Sequence, residues 1–258
     1  MTLAQSKDKP AHPPDPLQEH LAYLKLRYLQ DNCEALAQQA AKEQWPHMRF
    51  LAKIIEGEVN LRKDHSTQHR IQQARFPVIK SLQQFDFTWP AKINRPQIQN
   101  LFRLKFMEDK GSVVFLGNVG VGKTHLATAL GYSACLAGHR VLYSTAAGII
   151  NNLSAAANAG RFAHELRRYV KPALLVIDEL GYLAVDKKGC EMLFQIISQR
   201  YERAPTVYTT NKAFKQWPSI FNNDSTITSA ILDRVLHHGE AVVIEGRSFR
   251  TKDRIDPP

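Results

Sequence analysis

At 258 residues the chain can bury one full α/β core with a smaller module beside it, and 44% hydrophobic with 22% charged residues is an ordinary globular composition. A formal net charge of +10, from 34 Lys and Arg against 24 Asp and Glu, suits a partner rich in phosphate. Cys33, Cys135 and Cys190 form no CxxC or Cys/His cluster, so neither a disulfide framework nor a zinc site is indicated, and no apolar run approaches membrane-spanning length.

Residues 1–16 are polar, carry four prolines and lack the apolar core of a signal peptide, which predicts a disordered tail. Residues 17–76 read as a helical module. Leu17, Leu21, Leu24 and Tyr28 recur at helical spacing, as do Met48, Leu51, Ile54 and Ile55. Pro46 is tolerated at the start of a second helix, Gly57 weakens that helix's continuity, and Pro77 ends a third short helix near Phe76. From Leu61 to Lys105 nine basic residues face only Asp64 and Asp86, a surplus of +7 in under a fifth of the chain. Within this run Arg62, Lys63, Arg70 and Arg75 are candidate DNA contacts. His65 and His69 sit four apart without a third ligand, which favours a solvated or phosphate-facing surface over a metal site. Residues 77–110 form a connector; the aperiodic, aromatic "FPVIKSLQQFDFTWPAKINRP" at 76–96 is expected to lie over the following domain, its Phe and Trp packing rather than stacking on bases.

Residues 111–252 alternate strand and helix. Strands are expected at 112–117, 140–145, 173–179, 206–211 and 241–246, with helices beginning near Lys123, Ala146, Lys188 and Thr226. Nearly all-apolar strands separated by helices predict a three-layer α/β domain around a five-stranded parallel sheet. Residues 253–258 are a tail.

After the first strand, Gly117, Asn118, Val119, Gly120, Val121, Gly122, Lys123 and Thr124 match G-x-x-x-x-G-K-[ST], with a helix following at once. Glycines let backbone N–H groups converge on a phosphate, and the helix N-terminus adds partial positive charge. Lys123 would bridge the outer phosphates and Thr124 would hold Mg²⁺, so the loop is expected to bind a nucleoside triphosphate, ATP with Mg²⁺. The strand "LLVIDEL" delivers Asp178 and Glu179, the first suited to the Mg²⁺ shell and the second to activating a water as general base, which favours hydrolysis over transfer to a hydroxyl. Asn211 ends "TVYTTN" and reads either as a turn residue or as a γ-phosphate sensor. Arg234 in "ILDRVLHHG" reads either as a helix-dipole partner or as an arginine finger. In "RFAHELRRYVK", Arg161, Arg167, Arg168 and Lys171 form either a solvated helix face or a second DNA-facing segment. His237 and His238 are adjacent, which does not put both on one helix face.

The order of P-loop, "VIDE", "TTN", "LDR" and "GRSFR", with "GVGKTHLATALGYSAC", "LLVIDELGYL" and "RYERAPTVYTTNKAFKQW", resembles AAA+ ATPases of the helicase-loader clade, and more closely the IstB-like transposition helpers of insertion sequences. The resemblance covers roughly residues 20–252. It implies a Walker A loop at Gly117–Thr124 continuing into His125, a Walker B pair at Asp178 and Glu179, Asn211 as sensor 1, Arg234 as a finger acting in a neighbouring copy, and Arg250 as a sensor-2-like arginine. Val119 replaces a frequent proline and "TTN" a frequent "TSN"; neither change removes a catalytic group. With only eight residues after Arg250, the usual C-terminal helical lid is expected to be missing. The resemblance further implies a bacterial cytoplasmic ATPase, associated with the nucleoid when bound to DNA. It would oligomerise on double-stranded DNA through backbone contacts with little sequence preference, deform it, and recruit an IstA-like transposase. A DnaC-like replicative helicase loader is the alternative.

Overall fold

The computed structural model describes residues 16–251; the tails expected at 1–16 and 253–258 lie outside the described residues except for Pro16, which opens the first helix. The chain divides into two compact units, Met1–Ser66 and Thr67–Pro258.

The described part of the first unit is helical: α1 (Pro16–Tyr23), α2 (Arg27–Lys42) and the start of α3 (His47–Ala74). These helices divide differently from the expected ones. The helical pattern through Tyr28 is split in two at Lys25, which has φ +56°, while the expected second and third helices are one continuous 28-residue helix. Gly57 does not interrupt α3. It makes room for the Tyr28 ring, whose Cε1 would lie 2.0 Å from a Cβ at this position. Beside it the buried Glu58 accepts the Tyr28 backbone N–H (3.0 Å) and pairs with Arg62 (3.1 Å), placing a carboxylate at the N-terminal turn of α2 where helix N–H groups lack partners.

In the second unit, the last residues of α3 lead into the connector, which holds a 3-10 turn at Leu82–Gln84 and two short helices, α4 (Arg95–Leu101) and α5 (Lys105–Glu108). Then follow β1 (Val113–Gly117), α6 (Lys123–Leu136), β2 (Val141–Thr145), α7 (Ala146–Asn158), α8 (Phe162–Val170), β3 (Leu174–Leu180), α9 (Lys187–Arg200), β4 (Thr206–Thr210), α10 (Ser225–Leu236) and β5 (Glu240–Ile244). The five strands form one parallel sheet in the order β2-β3-β4-β1-β5. Each strand falls within a residue or two of the apolar run that predicted it.

Alternate residues of these strands feed two cores, as the two-residue period of a strand requires. Val114, Leu142, Leu175, Ile177 and Tyr208 pack with α7 to α10 on one face. Val113, Phe115, Tyr143, Val176 and Val207 pack with α6, α4 and the end of α3 on the other. The connector lies over this second core: Phe76, Leu82, Phe85, Phe87 and Ile93 pack against it, and Lys92 bridges Glu245 beyond β5. Among the described residues no helix follows β5; a 3-10 turn at Phe249–Thr251 closes the described chain. No described helix is long and apolar enough to cross a membrane.

Candidate nucleotide site

The loop between β1 and α6 leaves the carboxyl end of a central strand, the end at which open α/β sheets bind ligands. Gly120 and Gly122 have φ of +80° and +98°, a region that side chains disfavour. Space is the second constraint: a Cβ on Gly120 would stand 2.0 Å from Ser248 Oγ, and one on Gly122 would stand 2.6 Å from Phe85 Cε2. No side chain caps the N-terminus of α6, so its first N–H groups face the loop. The C-terminal segment is tied to the same turn, with the Phe249 N–H donating to the Gly120 carbonyl at 2.9 Å.

Lys123 is only 4% exposed and donates to the Asn118 carbonyl at 2.7 Å, with the Tyr182 hydroxyl 3.5 Å away. Burial pushes its ammonium down to about 8; Asp178 opposes that shift and Arg250 adds to it. Asp178 is buried at 1% exposure and accepts from three hydroxyls: Thr124 at 3.1 Å, and Tyr143 and Thr209 in closer contacts. Burial and the Asp178 carboxylate push the Tyr143 phenol up, so it remains a donor. A carboxylate at a buried strand end, held by neutral hydroxyls beside a buried ammonium, has the donor set for a hard divalent cation shared with phosphate oxygens. The residues present therefore fit Mg²⁺, with Thr124 and Asp178 as its protein side.

Immediately after Asp178 the register of β3 against β4 shifts between Ile177 and Leu180. Glu179 takes φ +60° and its N–H donates to Thr209 Oγ1 at 2.9 Å. This bulge turns consecutive acids to opposite environments, Asp178 inward and Glu179 out into the open cavity, the kind of local irregularity that clusters at functional sites.

That cavity encloses about 350 Å³. Its floor is Gly120–His125 with Thr128; Glu179, Tyr182 and Arg250 line it, and the connector adds Phe85 and Trp89. His125 joins floor to wall: its Nε2 lies 2.9 Å from the Ser81 carbonyl, its ring meets Phe85 edge-on, and burial lowers its pKa. Trp89 donates to the Arg247 carbonyl at 3.1 Å and packs edge-on against Phe249. Arg250 thus reaches the loop on a 3-10 turn instead of a helical lid.

Two other expected site residues do not line this cavity. Asn211 directly follows β4 at the carboxyl end of the sheet, where Thr210 pairs with Leu116 of β1 and Leu180 of β3, and its Oδ1 is buried without a hydrogen-bond partner. Arg234 lies on α10, its guanidinium over Phe194 and Tyr201 and donating to the Ala230 carbonyl at 2.8 Å. It shares a small recess with Ser112 and Thr206, at the amino ends of β1 and β4. Of the basic residues, Arg62 pairs with Glu58 and Arg70 donates to the Cys135 carbonyl at the end of α6 (3.0 Å). Lys63, Arg161 and Arg167 are exposed, while Arg75 and Arg168 line a common cavity. His237 and His238 do converge with the exposed Glu202, their ligand atoms within 4.8 Å, a grouping that adjacency in sequence argued against. Sequence reasoning missed Tyr143, Thr209, Tyr182 and the connector wall. A tyrosine and a threonine inside otherwise apolar strands were the available signal for the first two.

Among solved structures the chain resembles the DnaC helicase loader, at 21% identity and TM-score 0.52 over 64% of this chain and 96% of that one, a likeness of fold. It is 38% identical over 234 residues to the ATP-binding protein of insertion sequence IS21 from Pseudomonas aeruginosa, covering 91% of this chain and 88% of that protein. The corresponding protein of IS5376 from Geobacillus stearothermophilus is 35% identical over 92% of this chain and 94% of its own length. Residues 19–256 match the family of IstB-like ATP binding proteins, and the chain belongs to that family.

Proposed function

We propose that this chain is a cytoplasmic ATPase of insertion-sequence transposition. It binds ATP with Mg²⁺, assembles with copies of itself on double-stranded DNA, deforms the duplex, and recruits an IstA-like transposase to it. One observation carries the reading: Lys123, Thr124, Asp178 and Glu179 converge on one loop, three of their groups linked by hydrogen bonds or charge and the fourth open to the cavity.

In this reading the loop N–H groups and the amino end of α6 hold the phosphates, and Lys123 lies across the outer two. Thr124 and Asp178 would hold Mg²⁺, which when bound would supply charge neutralisation at the phosphate oxygens. Glu179 orients a water and takes its proton as that water attacks the terminal phosphorus; the bond to the bridging oxygen breaks and ADP leaves. Tyr143 and Thr209 fix the Asp178 carboxylate, and the connector's aromatic wall with Arg250 closes the cavity over the base and phosphates. Arg234 serves the site of a neighbouring copy. Duplex DNA meets basic side chains through its phosphates, so sequence preference is small.

Sedimentation of the purified chain with duplex or single-stranded DNA, each with ATP, ADP or no nucleotide, tests the reading. Large assemblies only with duplex and ATP are expected. A preference for single strands would replace this function with helicase loading, and indifference to nucleotide would remove the ATP-driven assembly.

A further inference from the structure

Two basic segments far apart in sequence meet at one place. The end of α3 supplies His69 and Arg75, the turn before β2 supplies Arg140, and α8 with the turn after it supplies Arg168 and Lys171. These five line an open cavity of about 540 Å³ with Gln72, Gln73 and Pro172. Arg140 stands just before β2 and Pro172 just before β3, so the cavity lies at the amino ends of these strands. The nucleotide loop lies at the carboxyl end of the sheet.

No carboxylate lines the cavity. Among the described residues Arg75, Arg140 and Lys171 have no acidic group within ion-pair distance; Arg168 pairs with Glu165 at 2.9 Å and lies over the Tyr169 ring. Like charges gathered round a concavity repel one another unless an anion joins them. The frame under them is firm: Ala74 is fully buried, Arg75 turns out of the helix with φ +60°, and Arg70 fastens α3 to the Cys135 carbonyl. An extended polyanion matches this arrangement better than one small ion, because the cations come from several elements around an open trough. Arg140 belongs to none of the motifs in the sequence, and His69 is singled out there only by its spacing from His65.

We propose that His69, Arg75, Arg140, Arg168 and Lys171 form a cleft for the phosphodiester backbone of duplex DNA, an assignment that rests on the DNA-binding function proposed above. The side chains contact phosphates and read no bases. Four formal charges engaging about three to four phosphates contribute about −3 to the slope of log affinity against log salt.

The test uses the full chain with ATP and a fluorescent duplex of mixed sequence, with affinity followed across a potassium chloride series. Removing two charges in Arg140→Gln/Lys171→Gln is expected to weaken binding about tenfold or more and make the slope shallower by about 2. Arg103→Gln/Lys105→Gln removes the same charge from exposed residues outside the cavity and is expected to change the slope by well under 1. Binding of a fluorescent ATP analogue should be unaltered in both variants, which checks folding. If the native chain binds no duplex, the DNA-binding function and the cleft fall together. If it binds and the two variants behave alike, the cleft alone is wrong. Inorganic phosphate displacing the duplex more strongly than chloride of equal ionic strength would make the cavity a small-anion site and overturn the assignment.

Discussion

Lys123 offers a test of the nucleotide site that does not depend on turnover. Its ammonium is depressed to about 8 because the side chain is buried with too little negative charge nearby. A bound triphosphate supplies that charge and restores the ordinary lysine value of about 10.5, so binding above neutrality takes up a proton. Uptake should be about 0.1 proton at pH 7, 0.5 at pH 8 and 0.9 at pH 9 for a group moving from 8 to above 10. The same shift weakens affinity about thirtyfold between pH 7 and pH 9.5. The sign for folding follows separately. A folded-state lysine below its unfolded value destabilises the unliganded protein at low pH, and this cost is relieved as pH rises from 8 towards 10.5. Titration calorimetry of ATP in two buffers of different ionisation enthalpy measures uptake directly, at pH values where the terminal phosphate is already ionised. Lys123→Arg keeps a charge that does not titrate here and should lose the uptake. No uptake at pH 9 by the native chain, or equal uptake by the arginine variant, would refute the argument.

Other substitutions separate binding, chemistry and folding. Gly122→Ala forces φ +98° on a side chain and drives its Cβ to 2.6 Å from Phe85; nucleotide affinity should fall at least about tenfold, with about 1–3 kcal/mol lost in denaturant unfolding. Glu179→Gln should keep ATP affinity within a few fold while hydrolysis, followed by phosphate release, falls by about 10² or more. Arg200 is 1% exposed and donates to the carbonyls of Tyr169, Val170, Pro172 and Pro205 and to the Thr206 hydroxyl. Arg200→Met strands those carbonyls and should cost about 3–5 kcal/mol, a fall of roughly 10 °C in Tm by calorimetry, without direct effect on the loop.

The sheet was legible because each strand is a short apolar run and three of the helices between strands open on a local signal: Thr145, Asp186 and Asp224 cap α7, α9 and α10 through their side chains. The glycine loop was legible for the same local reason. What the sequence hid depends on contacts between distant residues. Gly57 looks like a helix breaker until the Tyr28 ring is seen to need its space. The connector has no period because Phe85 against Gly122, Ser81 on His125 and Trp89 on Arg247 fix it one contact at a time. The sequence assigns Asp178 and Glu179 different roles but not the means of separating them: the bulge between β3 and β4 gives one a hydroxyl cage and the other the open cavity. Arg75, Arg140 and Arg168 share a cleft because β2 and β3 begin side by side, a fact of sheet order and not of spacing.

The position of Arg234 makes its proposed role in a neighbouring site testable by mixing. Ser112 and Thr206, which border it, stand at the amino ends of β1 and β4, whereas the nucleotide loop begins after the carboxyl end of β1. The five residues of β1 alone span about 16 Å, beyond the reach of an arginine side chain of roughly 7 Å. Arg234 therefore cannot attend the loop of its own chain without unfolding α10, and catalysis through it requires a second copy. Arg234→Ala alone should bind ATP normally yet hydrolyse it about 10³-fold more slowly, and Lys123→Ala alone should fail to hold nucleotide. Mixed in equal amounts with duplex DNA, the Lys123 variant supplies an intact Arg234 to the loop of its partner. In random dimeric pairing about half of the contacts join the two variants, and half of those face the productive way, so phosphate release should recover to roughly a quarter of the native rate. Recovery absent under conditions where sedimentation shows mixed assemblies would mean that Arg234 only steadies the carboxyl end of α10 from its place over Phe194 and Tyr201.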